Sequence, residues 1–301
     1  MKNNHRWTIA DIPDQRGRIA LITGANSGLG FQETLALAQK GATVIMACRN
    51  IEKAEIAANK IREKYPDSKL HLMELDLSDL NSITACAKKV SLEFDHLDLL
   101  INNAGVMIPP LSRTKQGFEL QFGTNHLGHF ALTAQLLPMI EDVNGARIVS
   151  VSSVAAYMNY IDFNDLNYEF KKYRKWLAYC QSKLANQMFM TELAGRLSEN
   201  GNVAIAVAAH PGVSSTDLFK SSSRFMKKVV LPFISHTPDK AALSILRAAC
   251  DPSAENGSYW GPSGFLGITG SPGKAKLMPK ALNPALTKKL WKVSEELTID
   301  R

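Results

Sequence analysis

Tyr179 and Lys183 stand four residues apart in Ala178 to Leu197, a stretch whose apolar spacing predicts an amphipathic helix. That interval puts a phenol and an ammonium on one helix face, close enough to act together. Taken alone the pair says little, because a packed tyrosine and a solvated lysine share this spacing in many helices. A second stretch, Thr23-Gly-Ala-Asn-Ser-Gly-Leu-Gly30, suggests what they act on. Gly24, Gly28 and Gly30 leave out side chains where a backbone must pass close to a pyrophosphate. The helix that follows offers it unpaired N–H groups and a positive dipole end. A tight turn that is merely rich in glycine is the competing reading. Since the spacing is not G-x-G-x-x-G, the rest of the chain has to decide.

The elements that must position these groups alternate between strand and helix. Ile19 to Ile22 leads into the glycine turn, and Thr34 to Gly41 reads as a helix stopped by a glycine. Thr43 to Ala47 is a second buried strand, followed by a charged helix over Ile51 to Tyr65. Leu70 to Leu75 is a third strand, ending at Asp76-Leu77, and Leu97 to Ile101 a fourth, running into Asn102-Asn103-Ala104-Gly105. A long helix is expected over Phe118 to Ile140. Ala146 to Ser152 is the fifth strand and ends beside Ser153. Val203 to Ala209 is the sixth, closed by His210-Pro211-Gly212, and Gly257 to Gly261 suggests a last short one. Asp239 to Ala249 and Asn283 to Leu297 read as helices. Such alternation predicts an α/β fold.

Several positions stand out along this order. An NAD site would place an acid about 20 residues beyond the glycine turn to hold the ribose hydroxyls. Here Arg49 occupies that place, and a guanidinium can pair with a 2′-phosphate, so NADP is favoured over NAD; a surface arginine paired with Glu52 is the alternative. Asp76 is expected at the carboxyl end of a strand, where ligands lie in such folds. Asn125 is a poor helix former inside a predicted helix and points to a bound water or a local distortion. His126 and His129 share a face, but without a third ligand or an acid motif no metal site is expected. Two segments are long for plain connections: Tyr157 to Trp176, polar and aromatic, and Val213 to His236, with its serines, bulky apolar groups and lysines. The second fits a lid over a lipophilic pocket or a patch resting weakly on a membrane surface.

Bulk properties narrow the class. A chain of 301 residues with 45% apolar and 21% charged residues can bury one large core. Neither a signal-like N-terminus nor a membrane-length apolar run is present, so a cytoplasmic protein is expected. Cys48, Cys86, Cys180 and Cys250 are scattered, as suits packing residues in a reducing compartment. The net charge of +7 could favour anionic ligands, but its basic residues lack any nucleic-acid-binding motif, so no nucleic-acid partner is expected.

Together these residues resemble the short-chain dehydrogenase/reductases. The resemblance is carried by Thr23-Gly24-x-x-x-Gly28-x-Gly30, Asn102-Asn103-Ala104-Gly105, Asn125, Ser153, Tyr179-x-x-x-Lys183 and Pro211-Gly212, in that order across nearly the whole chain. Within the family, Ala47-Cys-Arg-Asn50, Thr124-Asn-His-Leu-Gly-His129 and Tyr179-Cys-Gln-Ser-Lys-Leu-Ala185 look most like the retinol dehydrogenase and WW-domain oxidoreductase branch. The resemblance implies a single doubly wound Rossmann domain with a mainly parallel sheet of seven strands, a substrate lid near 213–236 and a C-terminal extension over 262–301. It implies hydride transfer between NADP(H) and a carbonyl or alcohol carbon of a lipophilic small molecule, retinal-like, aliphatic or aromatic. Tyr179 would exchange the proton on the substrate oxygen, its phenolate favoured by the Lys183 ammonium. Lys183 would also hold the nicotinamide ribose, Ser153 the substrate oxygen, and Asn125 a water linking Lys183 to solvent.

For the cofactor, the resemblance assigns Gly24, Asn26, Ser27, Gly28 and Leu29 to the phosphates and ribose, Arg49 to the 2′-phosphate, and Asp76 and Leu77 to the adenine. Asn103, Ala104 and Gly105 would line the adenosine ribose, and Pro211, Gly212, Val213 and Thr216 the nicotinamide carboxamide. A homo-oligomer packed through the helices from Phe118 and Ala178 would be typical. Two other readings compete: a protochlorophyllide-type reductase of a carbon–carbon double bond, and an NADP-binding sensor or scaffold without turnover. The joint presence of Ser153, Tyr179 and Lys183 weighs against the last.

Overall fold

Successive residues of the central strands enter opposite cores. In β1 (Ile19–Thr23) Ala20 and Ile22 join one apolar cluster and Leu21 the other; in β2 (Thr43–Cys48) Val44, Met46 and Cys48 join the first, Ile45 and Ala47 the second. Burial on both faces is why these segments read as unbroken apolar runs. The computed structural model describes residues 6–158, 160–212, 237–264 and 267–298. Six further strands complete one sheet: β3 (Lys69–Glu74), β4 (Leu99–Asn102), β5 (Arg147–Val151), β6 (Ile205–Ala209), β7 (Tyr259–Pro262) and β8 (Pro272–Lys274). Their order is β3-β2-β1-β4-β5-β6-β7-β8. The first seven run parallel, and β8 pairs antiparallel with β7. The expected seven strands are all present; the eighth is a three-residue edge strand with too little apolar pattern to be read in advance.

Helices cover both faces. α1 (Gly28–Gln39), α2 (Ile51–Lys64) and α6 (Pro238–Cys250) bury Leu37, Ile61 and Ile245 in the first cluster. On the other side α3 (Leu80–Glu93), α4 (Gly128–Leu136) and α5 (Lys175–Asn200) bury Ile83, Phe130 and Phe189 in the second. This is the doubly wound α/β arrangement, with β1 and β4 adjacent at the point where the winding reverses. All four cysteines are free and buried. Among the described residues, no helix is long and apolar enough to cross a membrane.

One helix differs from expectation. Instead of a continuous helix over 118–140, the chain makes one α turn at Leu120–Phe122, a π turn at Gly123–Leu127, α4, and a 3-10 turn at Leu137–Met139. Asn125 sits inside the π turn, where its amide leaves the helix surface to grip Val106: Nδ2 donates to the carbonyl at 2.9 Å and Oδ1 accepts the N–H at 2.8 Å. Pro138, which has no N–H to donate, lies in the terminal 3-10 turn.

The described part of the C-terminal extension is packed onto the domain. α7 (Pro284–Thr298) lays Trp291 against Phe130 of α4 and Phe189 of α5, with ring centroids 4.9 Å and 5.9 Å apart. It thus occupies apolar surface on the two helices expected to meet a second copy. The segment over 213–236 lies outside the described residues.

Glu33 of α1 is fully buried, and neither carboxyl oxygen has a hydrogen-bond partner among the described residues. Burial raises its pKa from 4.5 to about 8. The folded protein therefore keeps a proton that the unfolded chain releases near pH 4.5. Stability from this group is fully present below that pH and is lost as pH climbs towards 8. Glu33→Gln, neutral and nearly isosteric, is expected to raise the melting temperature at pH 8, by a stability gain on the order of 3 kcal/mol, and to change it little at pH 5. A difference that does not vary with pH in thermal melts would remove the charge from the explanation.

Candidate active site

Parallel strands bring their carboxyl ends to one edge, so the loops leaving β1, β2, β3 and β4 meet although they lie far apart in sequence. Gly24, Asn26, Ser27, Gly28, Leu29, Arg49, Asp76, Leu77, Asn103, Ala104 and Gly105 line a single cavity of about 450 Å³. The turn itself tolerates no larger residues. Gly24 has φ +69°, and a Cβ on Gly30 would stand 2.4 Å from the Gly24 carbonyl oxygen and 2.7 Å from Asn103 Nδ2. No side chain caps α1 at Ser27, which leaves first-turn N–H groups of the helix free to meet an anion in the cavity. This cradle fits the pyrophosphate of a dinucleotide. Asp76 is held at the rim by the Ser78 hydroxyl and N–H, which donate to Oδ1 at 2.6 Å and 2.9 Å. A larger groove, about 670 Å³, runs past Arg196 and Trp291 between α5 and α7 and contains none of these residues.

Four further polar side chains line the cavity without a cofactor role having been assigned to them from the sequence: Thr23, Asn50, Lys53 and Thr124. Lys53, in the first turn of α2, and Asn50, which caps that helix, line the same cavity as Arg49. Thr23 also lines it, and its hydroxyl oxygen accepts the N–H groups of Asn103 (3.0 Å) and Ala104 (2.9 Å). Asn103 Nδ2 returns a bond to the Thr23 carbonyl at 2.9 Å, so the glycine turn and the loop after β4 are welded together.

At the end of β5 the two serines divide. Ser152 is buried, and its hydroxyl donates to the Lys183 carbonyl at 2.7 Å. The Ser153 side chain, whose Oγ accepts the Ala155 N–H at 3.2 Å, acts on the Tyr179 phenol in the direction that lowers its pKa. Burial outweighs this and pushes Tyr179 up to about 12. Lys183 is buried, donates to the Val151 carbonyl at 3.0 Å and has its Nζ 5.9 Å from the Tyr179 ring centre. Desolvation lowers its pKa to about 8. A Cβ on Gly105 would lie 3.6 Å from Lys183 Nζ, so the ammonium borders the cavity wall. Asn125 reaches the same corner: besides gripping Val106, Nδ2 donates to Ser182 Oγ at 2.9 Å.

Pro211 and Gly212 follow β6 at the same edge, outside the cavity lining; the Gly212 N–H donates to His210 Nδ1 at 3.3 Å. Val213 and Thr216 lie outside the described residues. His126 and His129 diverge: His126 Nε2 meets Ser294 Oγ of α7, and His129 Nε2 meets Thr23 Oγ1, each at 2.9 Å.

A clamp that no motif announced positions α5. Buried Glu119 accepts the N–H groups of Gln121 (2.9 Å) and Phe122 (2.7 Å) and the Tyr173 hydroxyl (3.0 Å). Gln121 in turn donates to the Lys175 carbonyl at 2.9 Å, at the start of the helix that carries Tyr179. Its Oε1 accepts the N–H of Ile108, which is held at φ +55°, a strained conformation for a β-branched residue.

The fold and this cluster define a dinucleotide-dependent enzyme, and the comparisons give its family. The chain belongs to the short-chain dehydrogenases, whose family model matches residues 18–227. Human retinol dehydrogenase 11 is 39% identical over 285 residues, covering 93% of this chain and 86% of that protein. Human retinol dehydrogenase 12 is 41% identical with the same coverage. Among solved structures, an uncharacterised protein from Mycobacterium paratuberculosis is 40% identical with a TM-score of 0.83 over 98% of both chains. A protein from Escherichia coli CFT073 solved with NADPH is 24% identical with a TM-score of 0.64, over 82% of this chain and 96% of that one, and shares the fold. The chain is an NAD(P)-dependent oxidoreductase similar to retinol dehydrogenases.

Proposed function

We propose that this enzyme uses NADP(H) to interconvert a carbonyl and an alcohol on a lipophilic substrate. The observation that carries this reading is the meeting of Ser153, Tyr179 and Lys183 beside the wall of the dinucleotide cavity. The bound nicotinamide supplies or takes up the hydride. Ser153 holds the substrate oxygen, and Tyr179 gives it a proton in reduction or removes one in oxidation. Lys183, anchored by Val151, orients the ribose and stabilises negative charge on the phenol oxygen. Arg49, with Lys53 near it, supports a 2′-phosphate in the cavity.

Two features support a lipophilic substrate. Of the exposed large apolar side chains among the described residues, Leu111, Tyr157, Met158, Tyr160 and Phe170 belong to the segments following β4 and β5, at the catalytic edge of the sheet. The relatives at 39% and 41% identity are retinol dehydrogenases, which supports retinoid-sized aldehydes within the range. A screen of retinal, aliphatic and aromatic aldehydes and ketones, followed by NADPH absorbance, is expected to give turnover that favours long apolar carbonyls and NADPH over NADH. Binding of NADPH without turnover on any carbonyl would leave a sensor or scaffold as the better description.

A further inference from the structure

The histidine at the start of α4 is tied to both halves of the site. His129 is buried, its Nδ1 lies 3.0 Å from the Asn125 carbonyl oxygen, and its Nε2 lies 2.9 Å from Thr23 Oγ1. The donors and acceptors can be assigned by counting. The Thr23 hydroxyl has two acceptor positions, and the N–H groups of Asn103 and Ala104 fill both. Its single proton must be donated, and the nearer acceptor is His129 Nε2 at 2.9 Å, against 3.4 Å for the Ile101 carbonyl. At the other nitrogen a carbonyl can only accept, so Nδ1 carries the hydrogen. Burial and the Lys183 charge hold the ring neutral, with a pKa lowered to about 4, consistent with one hydrogen on the imidazole.

We propose that His129, as the neutral Nδ1–H tautomer, is a positioning residue that couples the acid–base corner to the cofactor cavity. Through Nδ1 it fixes the carbonyl of Asn125 in the π turn, whose side chain grips Val106 and Ser182 beside Lys183. Through Nε2 it sets the direction of the Thr23 hydroxyl and so the height of the Asn103–Ala104 backbone over the cavity. A leucine at this position would make neither bond. The inference rests on the proposed cofactor and acid–base roles, and it explains half of the histidine pair without a metal.

Two substitutions separate the bonds. In His129→Gln the amide reaches the place of Nε2 and can accept from Thr23, with nothing to donate to Asn125. In His129→Asn the amide stands near Nδ1 and can donate to Asn125, with nothing within reach of Thr23. His129→Gln is expected to lower kcat about tenfold with the NADPH dissociation constant within about twofold of wild type. His129→Asn is expected to weaken NADPH about tenfold with kcat at saturating cofactor nearly kept, the scale of one buried hydrogen bond. Nitrogen-15 NMR of the unmodified protein is expected to find His129 neutral with its hydrogen on Nδ1 at pH 7. A hydrogen on Nε2, or variants that move kcat and the dissociation constant together, would overturn the proposal. If the unmodified enzyme turns over no carbonyl, the proposed function fails, while the tautomer and the NADPH constants still decide the role of His129.

Discussion

Tyr179→Phe is expected to bind NADPH within about twofold of wild type and to lose turnover by a factor of about a thousand, the range of one general acid–base group. The substitution removes the hydroxyl and keeps the ring, which lies 5.9 Å from the Trp176 ring, so cofactor contacts and packing should survive. The direction of reaction gives a second readout. Reduction needs the phenol and oxidation the phenolate; with Tyr179 pushed up to about 12 by burial, the site without cofactor is protonated throughout the neutral range. Oxidation should therefore accelerate as pH rises, and reduction should not. Stopped-flow turnover and cofactor fluorescence titration measure the two quantities separately. A phenylalanine variant within tenfold of the wild-type rate would remove Tyr179 from the chemistry.

The second large effect concerns cofactor choice. Arg49→Asp is expected to lower the preference for NADPH over NADH at least a hundredfold, because a forked, charge-assisted contact to a dianion is replaced by repulsion. Lys53 lines the same cavity, so Arg49→Ala should produce a smaller change. Titrating both variants with both dinucleotides separates loss of attraction from added repulsion. An unaltered ratio in the aspartate variant would mean that Arg49 meets no phosphate.

Much of this site could be read before any coordinates because its parts are local. A glycine turn after an apolar run, an arginine after the next strand and a tyrosine–lysine pair at helical spacing each express backbone geometry that neighbouring residues dictate. Which of Ser152 and Ser153 turns towards the tyrosine is a matter of another kind. Both follow β5, and it is the opposing carbonyl of Lys183 that turns Ser152 inward. The break at Asn125 was visible as a poor helix former in a helix, but its cause, the backbone of Val106, lies 19 residues away.

What the order of residues determined by itself is therefore the sequence of strands and helices and the chemical inventory of the sheet edge, since hydrophobic period and turn chemistry act over a few residues. Tertiary structure alone decided the rest: which serine faces the tyrosine, the π turn, the clamp at Glu119, the placing of α7 over α4 and α5, and the separate partners of His126 and His129. Each of those depends on a contact between segments far apart in the chain, where burial leaves a polar group one partner to find, and no local pattern names that partner in advance.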